Sequence, residues 1–311
     1  MGQWLCGELL RRGWEVYGAC LNADAAAPAA GGLSAEEAEA VRWLSCNVTS
    51  HADLTNSLDS ARPDAIFHLA GVSYLPDAGS DPAGALAVNT VSAARLLAEL
   101  GQRRRAGTLD PVVLVVGSGE QYGRHAPEEQ PLGEGAAQLP MSVYAASKAA
   151  QEVVALEAFR SDGIRVVATR PFNHSGRGQS PRFVIPALAR RALALRDTPG
   201  GVLPLGNSTP VRDFLHVADV VRAYVLLAER GKAGEVYNIA SGRGVEIGEL
   251  AARILTLAGA DASLEVDPAL VRPVDVPMLV GDPSKLAATT GWSVEHSLDS
   301  IIEEVIRATA H

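Results

Sequence analysis

The first half of the sequence alternates continuous apolar runs with Ala- and Leu-rich stretches of helical length. The apolar runs lie at residues 14–20, 65–70, 111–117 and 165–169. Strands that are buried on both faces of a parallel sheet have this character. The helical candidates between them lie at residues 3–12, 83–104 and 142–161. Because strand and helix alternate, the sequence predicts an α/β fold with a doubly wound, Rossmann-like parallel sheet.

Composition limits what such a fold can bind. The 311 residues carry a formal net charge of −9 and contain no long basic block, so we expect no nucleic-acid partner. No apolar run approaches the length of a membrane span, so we expect no membrane partner. Three cysteines without a CxxC pair predict neither a metal site nor a disulfide framework, and they fit the reducing cytoplasm.

The N-terminal residues predict a helix where dinucleotide-binding sheets usually carry a strand and a glycine-rich turn. In those sheets the turn lets the backbone approach the pyrophosphate, and the next helix supplies N–H donors. Here Met1 and Gly2 lead directly into the predicted helix, and residues 14–20 look like the second strand. Gly2 then matches the last glycine of the turn, and we expect a sheet without its first strand. Our hypothesis is a truncated or wrongly started reading of a longer chain, with weakened cofactor affinity; a simple helical N-terminus is the alternative.

The pattern changes after Pro171, where proline and glycine become frequent. The elements predicted beyond this point are a helix at residues 217–230, a strand at 235–240 and a helix at 247–259. We therefore predict two domains. The dinucleotide-binding domain comprises residues 1–172, with residues 211–232 returning to it, and the smaller α/β substrate domain comprises residues 173–210 and 233–311.

Tyr144 and Lys148 are the first candidate catalytic pair. They stand four positions apart in a predicted helix, which puts both on one face. A neighbouring lysine favours the phenolate and lowers the tyrosine pKa from about 10. Such a tyrosine can exchange a proton with a sugar oxygen while a hydride moves at the carbon. The lysine can also donate to ribose hydroxyls of the cofactor. The spacing alone is common on surface helices.

Ser118 gives the pair its context. It follows the buried run at residues 111–117, and ligands of parallel sheets bind just beyond the carboxyl ends of the strands. Tyr144 comes 26 positions later, which leaves room for a loop and an approach into the helix. A serine among glycines is by itself a turn residue. With Tyr144 and Lys148 in place we prefer the catalytic interpretation, in which Ser118 hydrogen-bonds the reacting oxygen.

This set of residues resembles the extended short-chain dehydrogenase/reductase family over nearly the whole chain, apart from the N-terminal strand and turn. The other matching motifs are residues 63–71, Asn89 after Asp81-Pro82, residues 170–173, residues 211–214 and residues 235–239. Within the family, residues 172–176 and 272–277 resemble the branch that acts on GDP-6-deoxy-4-ketohexoses. The subgroup of GDP-4-dehydro-6-deoxy-D-mannose reductases is the most similar.

The resemblance implies which residues bind the cofactor. They are Gly2, Asn47, His68, Leu69, Ala70, Gly71, Asn89, Tyr144, Lys148 and Pro171. Asn47 stands where an aspartate usually contacts the adenine. Leu21 and Asn22 end the second strand without an acid for NAD or an arginine for the 2′-phosphate of NADP. The subgroup favours NADP(H) and leaves NAD(H) open.

The resemblance also implies a nucleotide-sugar substrate, with a GDP-hexose favoured. The residues that match substrate positions are Asn173, Arg182, Arg212 and Arg272. Arg212 and Arg272 would clamp the diphosphate, which suits planar bidentate donors. A surface salt bridge explains any single arginine equally well. A homodimer would form through the helices at residues 83–104 and 142–161.

The implied reaction is reduction of the C4 keto group of GDP-4-dehydro-6-deoxy-mannose. Tyr144 would protonate the oxygen, Ser118 would orient it, and Lys148 would poise Tyr144. Glu120 occupies the position at which dehydratase relatives carry a base, so a GDP-mannose 4,6-dehydratase is the alternative. A 4-epimerase uses the same three residues. A dinucleotide-binding sensor without turnover is the non-enzymatic alternative, although a sensor has no need of an intact Ser118, Tyr144 and Lys148.

Overall fold

The fold is a layered α/β structure, seen here in a computed structural model that describes residues 1–23, 32–271 and 275–310. In chain order its strands are β1 (Tyr17–Cys20), β2 (Arg42–Ser45), β3 (Ala65–His68), β4 (Val112–Val116), β5 (Arg165–Pro171), β6 (Asn173–Ser175), β7 (Gly201–Leu205), β8 (Val211–His216), β9 (Val236–Ile239), β10 (Gly244–Glu246), β11 (Ala262–Val266) and β12 (Met278–Leu279).

The helices alternate with these strands in the first half of the chain. They are α1 (Gly2–Arg11), α2 (Ala35–Ala40), α3 (His51–Ala61), α4 (Leu75–Ser80), α5 (Pro82–Leu86), α6 (Ser92–Arg105), α7 (Val143–Asp162), α8 (Val184–Ala194), α9 (Val217–Arg230), α10 (Ile247–Ala258), α11 (Ser284–Thr290) and α12 (Leu298–Thr309). No described helix has the length and apolarity that crossing a bilayer requires.

The main sheet is parallel throughout and has the strand order β3-β4-β5-β9. Side chains of β4 alternate between its two faces, as the pleat requires. Val113 and Val115 pack with α6 and α7 on one face, whereas Leu114 joins the core beneath α1 and α9 on the other. This two-sided burial explains why the strands read as continuous apolar runs, and it confirms the predicted parallel α/β fold.

A cavity of about 1330 Å³ separates β1 from β3. Every residue of both strands lines it, together with the first half of α1 and the loop after β6. β1 pairs in parallel with β2, and β3 pairs with β4; among the described residues no strand lies between β1 and β3. The cavity therefore opens along two strand edges and reaches the carboxyl ends of the strands, where ligands of such sheets bind.

A second core lies in the C-terminal half, where α8, α10 and α12 pack with β7 and β11. β8 pairs with β6, β10 and β12 in a separate mixed sheet. α9 instead packs in the first core, against α1 and the main sheet. The chain thus returns to the first core after β8, and the exact domain boundaries given above stay a prediction.

Candidate active site

Ser118 lies in the turn that directly follows β4. Its hydroxyl accepts a hydrogen bond from the Glu120 N–H at 3.2 Å, which begins a short 3-10 helix over Gly119–Tyr122. The backbone N–H of Ser118 donates to the side-chain oxygen of Gln121 at 2.7 Å. Hydrogen bonds to the backbone and to the hydroxyl of Ser118 therefore stabilise the turn, and Ser118 is buried there.

α7 brings Tyr144 and Lys148 to this turn. Ser142 caps the helix by accepting a hydrogen bond from the Ala145 N–H at 3.1 Å. The Lys148 ammonium reaches the end of β4, where it donates to the carbonyl oxygen of Val116 at 2.8 Å. The Ser118 side chain acts on the pKa of the Tyr144 phenol, so the two side chains are neighbours. The structure brings the three residues together, and their catalytic roles stay predictions.

Burial dominates the electrostatics of this group. It raises the pKa of Tyr144; the hydrogen bond with Ser118 lowers that pKa, and the negative charge of Glu120 raises it. Burial also lowers the pKa of Lys148 to about 8. The prediction that Lys148 lowers the pKa of Tyr144 is wrong, since the pKa is raised. The ammonium donates instead to Val116 and to Gln151 Oε1 at 3.0 Å. Tyr144 is consequently a protonated phenol at neutral pH.

The segment after β3 forms one wall of the cavity. His68, Leu69 and Ala70 line it. Desolvation, followed by the positive charge of Lys148, lowers the pKa of His68 to about 4, so this imidazole is neutral at pH 7. At Gly71 a Cβ atom would lie 3.0 Å from Asn89 Oδ1 and 3.3 Å from Lys148 Nζ. Glycine therefore allows the backbone to pass close to Lys148.

Asn89 forms hydrogen bonds that hold this wall in place. It lies in a π-helical segment, Ala87–Val91, between α5 and α6. Its Oδ1 accepts from the Val72 N–H at 2.7 Å, and its Nδ2 donates to Ser147 Oγ at 2.8 Å. Asn89 is completely buried, so the structure shows it joining the wall to α7.

Three other predicted cofactor residues occupy distinct places. Gly2 begins α1 and lines the cavity. Asn47 is exposed and accepts hydrogen bonds from the Thr49 N–H and hydroxyl, at 3.0 and 2.8 Å, which closes a turn after β2. Pro171 is the last residue of β5, buried and paired with Ile239 of β9. Only Gly2 of these three contributes to the cavity wall.

The predicted substrate residues that the structure describes have different partners. Arg182 makes a bidentate ion pair with Asp77 and lies 3.8 Å from the ring centre of Tyr74. Arg212 pairs with Asp275 and donates to the Val276 carbonyl oxygen at 2.6 Å. The remaining two are Asn173, which begins β6 and pairs with Phe214, and Arg272, which lies outside the described residues.

Sequence reasoning missed two groups of residues at the site. The first is the end of β6 together with the loop that follows it, residues 174–180, which lines the cavity. Its glycines, Gly176 and Gly178, were the available signal. The second is a buried polar group, Gln121, Glu152 and Arg170, for which polar residues inside apolar elements were the only signal.

A dinucleotide fits the character of this cavity. The first turn of α1 lines one side, and its backbone N–H groups and helix dipole favour a phosphate group there. Gly71 lets the backbone pass close to the Lys148 ammonium, which can donate to hydroxyl groups. In the part of the chain that the structure describes, no cluster of His, Cys, Asp and Glu could hold a metal ion.

Comparison with known proteins identifies relatives that match most of the chain. Residues 1–305 match the family model described as GDP-mannose 4,6 dehydratase. A GDP-6-deoxy-D-mannose reductase of Pseudomonas aeruginosa is 36% identical over 245 residues, which cover 78% of this chain and 79% of the relative.

Solved structures of similar proteins superimpose on this chain. RMD from Pseudomonas aeruginosa, solved in complex with NADPH, superimposes with a TM-score of 0.78 and 31% identity, covering 86% of this chain and 90% of that one. The UDP-glucose 4-epimerase of Thermus thermophilus, in complex with NAD, gives a TM-score of 0.84 at 26% identity and covers 99% and 95% of the two chains.

The neutral state of buried His68 predicts a loss of stability in acid. Its folded pKa of about 4 lies below the ordinary value of 6.5, so the unfolded chain binds more protons between these values. Stability is therefore present above pH 6.5 and lost as the pH falls toward 4. Between pH 7 and pH 4.5 we expect the free energy of unfolding of the wild type to fall by about 2 kcal/mol more than that of His68→Gln.

Urea unfolding at the two pH values measures this difference. His51→Gln is the matched control, since His51 is exposed at the start of α3 and its replacement should leave the wild-type pH dependence intact. Equal pH dependence in wild type and His68→Gln would contradict the assignment of a buried, neutral His68.

Proposed function

The chain belongs to the GDP-mannose 4,6-dehydratase family, and from that premise we propose that it reduces the C4 keto group of GDP-4-dehydro-6-deoxy-mannose. The observation that carries the proposal is the convergence of Ser118, Tyr144 and Lys148 at the carboxyl end of β4. The similarity to a GDP-6-deoxy-D-mannose reductase supports this choice of reaction and of a GDP-hexose as substrate.

The protonation state of the site suits a reduction. When a reduced nicotinamide is bound, it supplies the hydride for C4. Tyr144, whose raised pKa keeps the phenol protonated, donates a proton to the developing alkoxide at O4. Ser118 orients that oxygen through its hydroxyl. Lys148, with a pKa of about 8, keeps a positive charge near neutral pH and would donate to the ribose hydroxyls of a bound cofactor.

Glu120 supports a second candidate, the GDP-mannose 4,6-dehydratase reaction. Its negative charge raises the pKa of Tyr144, so a carboxylate acts electrostatically on the proposed proton donor. Elimination of water from a keto sugar needs a base beside the reacting carbon. In the reductase, Glu120 holds the turn or binds a sugar hydroxyl.

NADP(H) is the cofactor that we favour, with NAD(H) as the alternative. Leu21 and Asn22 follow β1, where an acidic residue would select the free ribose hydroxyls of NAD. The similar reductase solved with NADPH supports this preference. Cys6, Cys20 and Cys46 are free thiols, which fits the reducing cytoplasm as the place of action.

A homodimer through the α6 and α7 layer completes the proposal. Val153 on α7 is 61% exposed, and Leu86 and Val91 on the adjoining helices are 41% and 42% exposed. α6 packs directly against α7, so these side chains border one helical layer. Two copies of such a layer can bury each other around a twofold axis.

The proposed chemistry predicts a specific loss in Tyr144→Phe. With GDP-4-dehydro-6-deoxy-mannose and NADPH, wild type should consume NADPH, and the variant should turn over about 10²- to 10⁴-fold more slowly because no positioned acid protonates O4. Absorbance of the reduced nicotinamide gives the rate. A parallel reaction with GDP-mannose and NADP⁺ tests the second candidate.

Three results would change the proposal. A 4-keto product from GDP-mannose, lost in Glu120→Gln, would make the protein a dehydratase. Undiminished NADPH consumption in Tyr144→Phe would refute the assigned role of Tyr144. If the wild type turns over neither substrate, the result would favour a protein that binds a dinucleotide without turnover, or an enzyme that acts on another nucleotide sugar.

The dimer predicts that Val153→Glu is a monomer. A buried carboxylate without a partner opposes the contact between two copies. Light scattering after size exclusion should give twice the chain mass for wild type and the chain mass for the variant. Val266→Glu is the control, because Val266 is 53% exposed on β11, in the other half of the chain. Dimers in both variants, or a monomeric wild type, would contradict the proposed contact.

A further inference from the structure

Glu152 is a buried carboxylate that the proposed chemistry does not use. Its side chain is 4% exposed. One oxygen, Oε2, accepts from Gln121 Nε2 at 3.0 Å and Arg170 Nε at 2.8 Å. The other, Oε1, accepts from Gln138 Nε2 at 2.7 Å and Arg170 Nη2 at 2.6 Å. Such a carboxylate is fully hydrogen-bonded, so its position is tightly defined.

Gln121 connects the Glu152 carboxylate to the backbone of Ser118. Because the Glu152 carboxylate only accepts hydrogen bonds, it selects the amide nitrogen of Gln121 and leaves the amide oxygen facing the other way. That oxygen accepts the backbone N–H of Ser118 at 2.7 Å. Gln121 is completely buried, so water does not compete for either bond. A chain of two hydrogen bonds thus connects Glu152 with the turn that carries Ser118.

The other end of this chain is the helix that carries Tyr144. Glu152 lies four positions after Lys148 and eight after Tyr144 on α7, so the three share a helical face. The hydrogen bonds to Gln121 therefore span two separate elements: α7 and the turn after β4. Any change in their separation moves Ser118 relative to Tyr144.

We infer that Glu152 is a positioning residue, which acts through Gln121 to fix the position of Ser118 relative to Tyr144. The inference rests on the proposed function for the roles of Ser118 and Tyr144 in proton transfer. Arg170 has a different part, because its guanidinium neutralises Glu152 and lies 4.8 Å from the ring centre of Tyr122. Arg170 thus neutralises the buried carboxylate of Glu152, whereas Gln121 connects that carboxylate to Ser118 through hydrogen bonds.

Two variants separate positioning from stability. Gln121→Leu removes the link to Ser118 and leaves the ion pair of Glu152 with Arg170 intact. Glu152→Gln removes the charge that Arg170 neutralises, so it tests the carboxylate itself and carries the greater risk of misfolding. Glu157→Gln is the matched control, since it makes the same change at an exposed position of α7.

A titration reads the position of Ser118 without any enzyme activity. The six tyrosines are labelled with carbon-13 at Cζ, and the Tyr144 signal is assigned by its absence in Tyr144→Phe. The hydrogen bond with Ser118 lowers the pKa of Tyr144, so Ser118→Ala should raise that pKa. We expect Gln121→Leu and Glu152→Gln to raise it in the same direction, and Glu157→Gln to leave it unchanged.

Two titration results overturn the inference. In one, Gln121→Leu and Glu152→Gln titrate like wild type although Ser118→Ala does not. In the other, Ser118→Ala itself leaves the pKa of Tyr144 unchanged, which removes the contact that Glu152 is inferred to maintain.

Kinetics supply the second measurement. Misplacement of Ser118 in Gln121→Leu should lower kcat for C4 reduction about 10²-fold, with the KM of sugar and cofactor unchanged. The reciprocal double variant Glu152→Gln/Gln121→Glu keeps the net charge and can re-form the hydrogen bond between positions 121 and 152, so most of kcat should return. A lower melting temperature with an unaltered kcat would reduce Glu152 to a structural residue.

The failure of this inference is distinct from the failure of the proposed function. An inactive wild type in which Gln121→Leu still raises the pKa of Tyr144 refutes the proposed reaction and supports the positioning. If the wild type is active and both variants keep its kcat and its Tyr144 pKa, the reaction is supported and the positioning role is refuted.

Discussion

Parallel pairing of β3, β4, β5 and β9 directs the carboxyl ends of all four strands to one edge of the sheet, and the candidate site depends on this arrangement. The chain turns at that edge after β4, which places Ser118 there. α7 then packs against the same sheet and begins near the same edge, so Tyr144 in its first turn meets Ser118. The site is thus a consequence of strand direction, with side-chain hydrogen bonds fixing its details.

Desolvation shifts the pKa values of the two titratable residues at this edge, Tyr144 and Lys148. Burial raises the pKa of Tyr144 and lowers that of Lys148 to about 8, so the phenol keeps its proton while the ammonium stays charged near neutral pH. A protonated phenol beside a cation can donate a proton to a sugar oxygen. The ion pair of Glu152 with Arg170 lies behind the turn, and it allows a buried carboxylate to order Gln121 and hence Ser118.

The sequence predicted the elements of the site better than its contacts. Apolar runs and helical stretches located β4 and α7, because burial on both faces of a sheet leaves a local pattern, and Ser118 and Tyr144 follow from their places in those elements. The true partners of Lys148 could not be predicted, since the Val116 carbonyl lies 32 residues away along the chain and is reached only after folding. The bonds of Glu152 likewise join separate elements, and no local pattern encodes them.

The most direct test of the account is transfer of an isotopic label. The protein is incubated with GDP-4-dehydro-6-deoxy-mannose and NADPH that carries deuterium on one face of nicotinamide C4, or on the other face in a second reaction, and the product is analysed by proton NMR. The account predicts deuterium at C4 of the hexose from one face only, with formation of the labelled product strongly slowed in Tyr144→Phe. Deuterium at another carbon, or none in the sugar from either face, would contradict it.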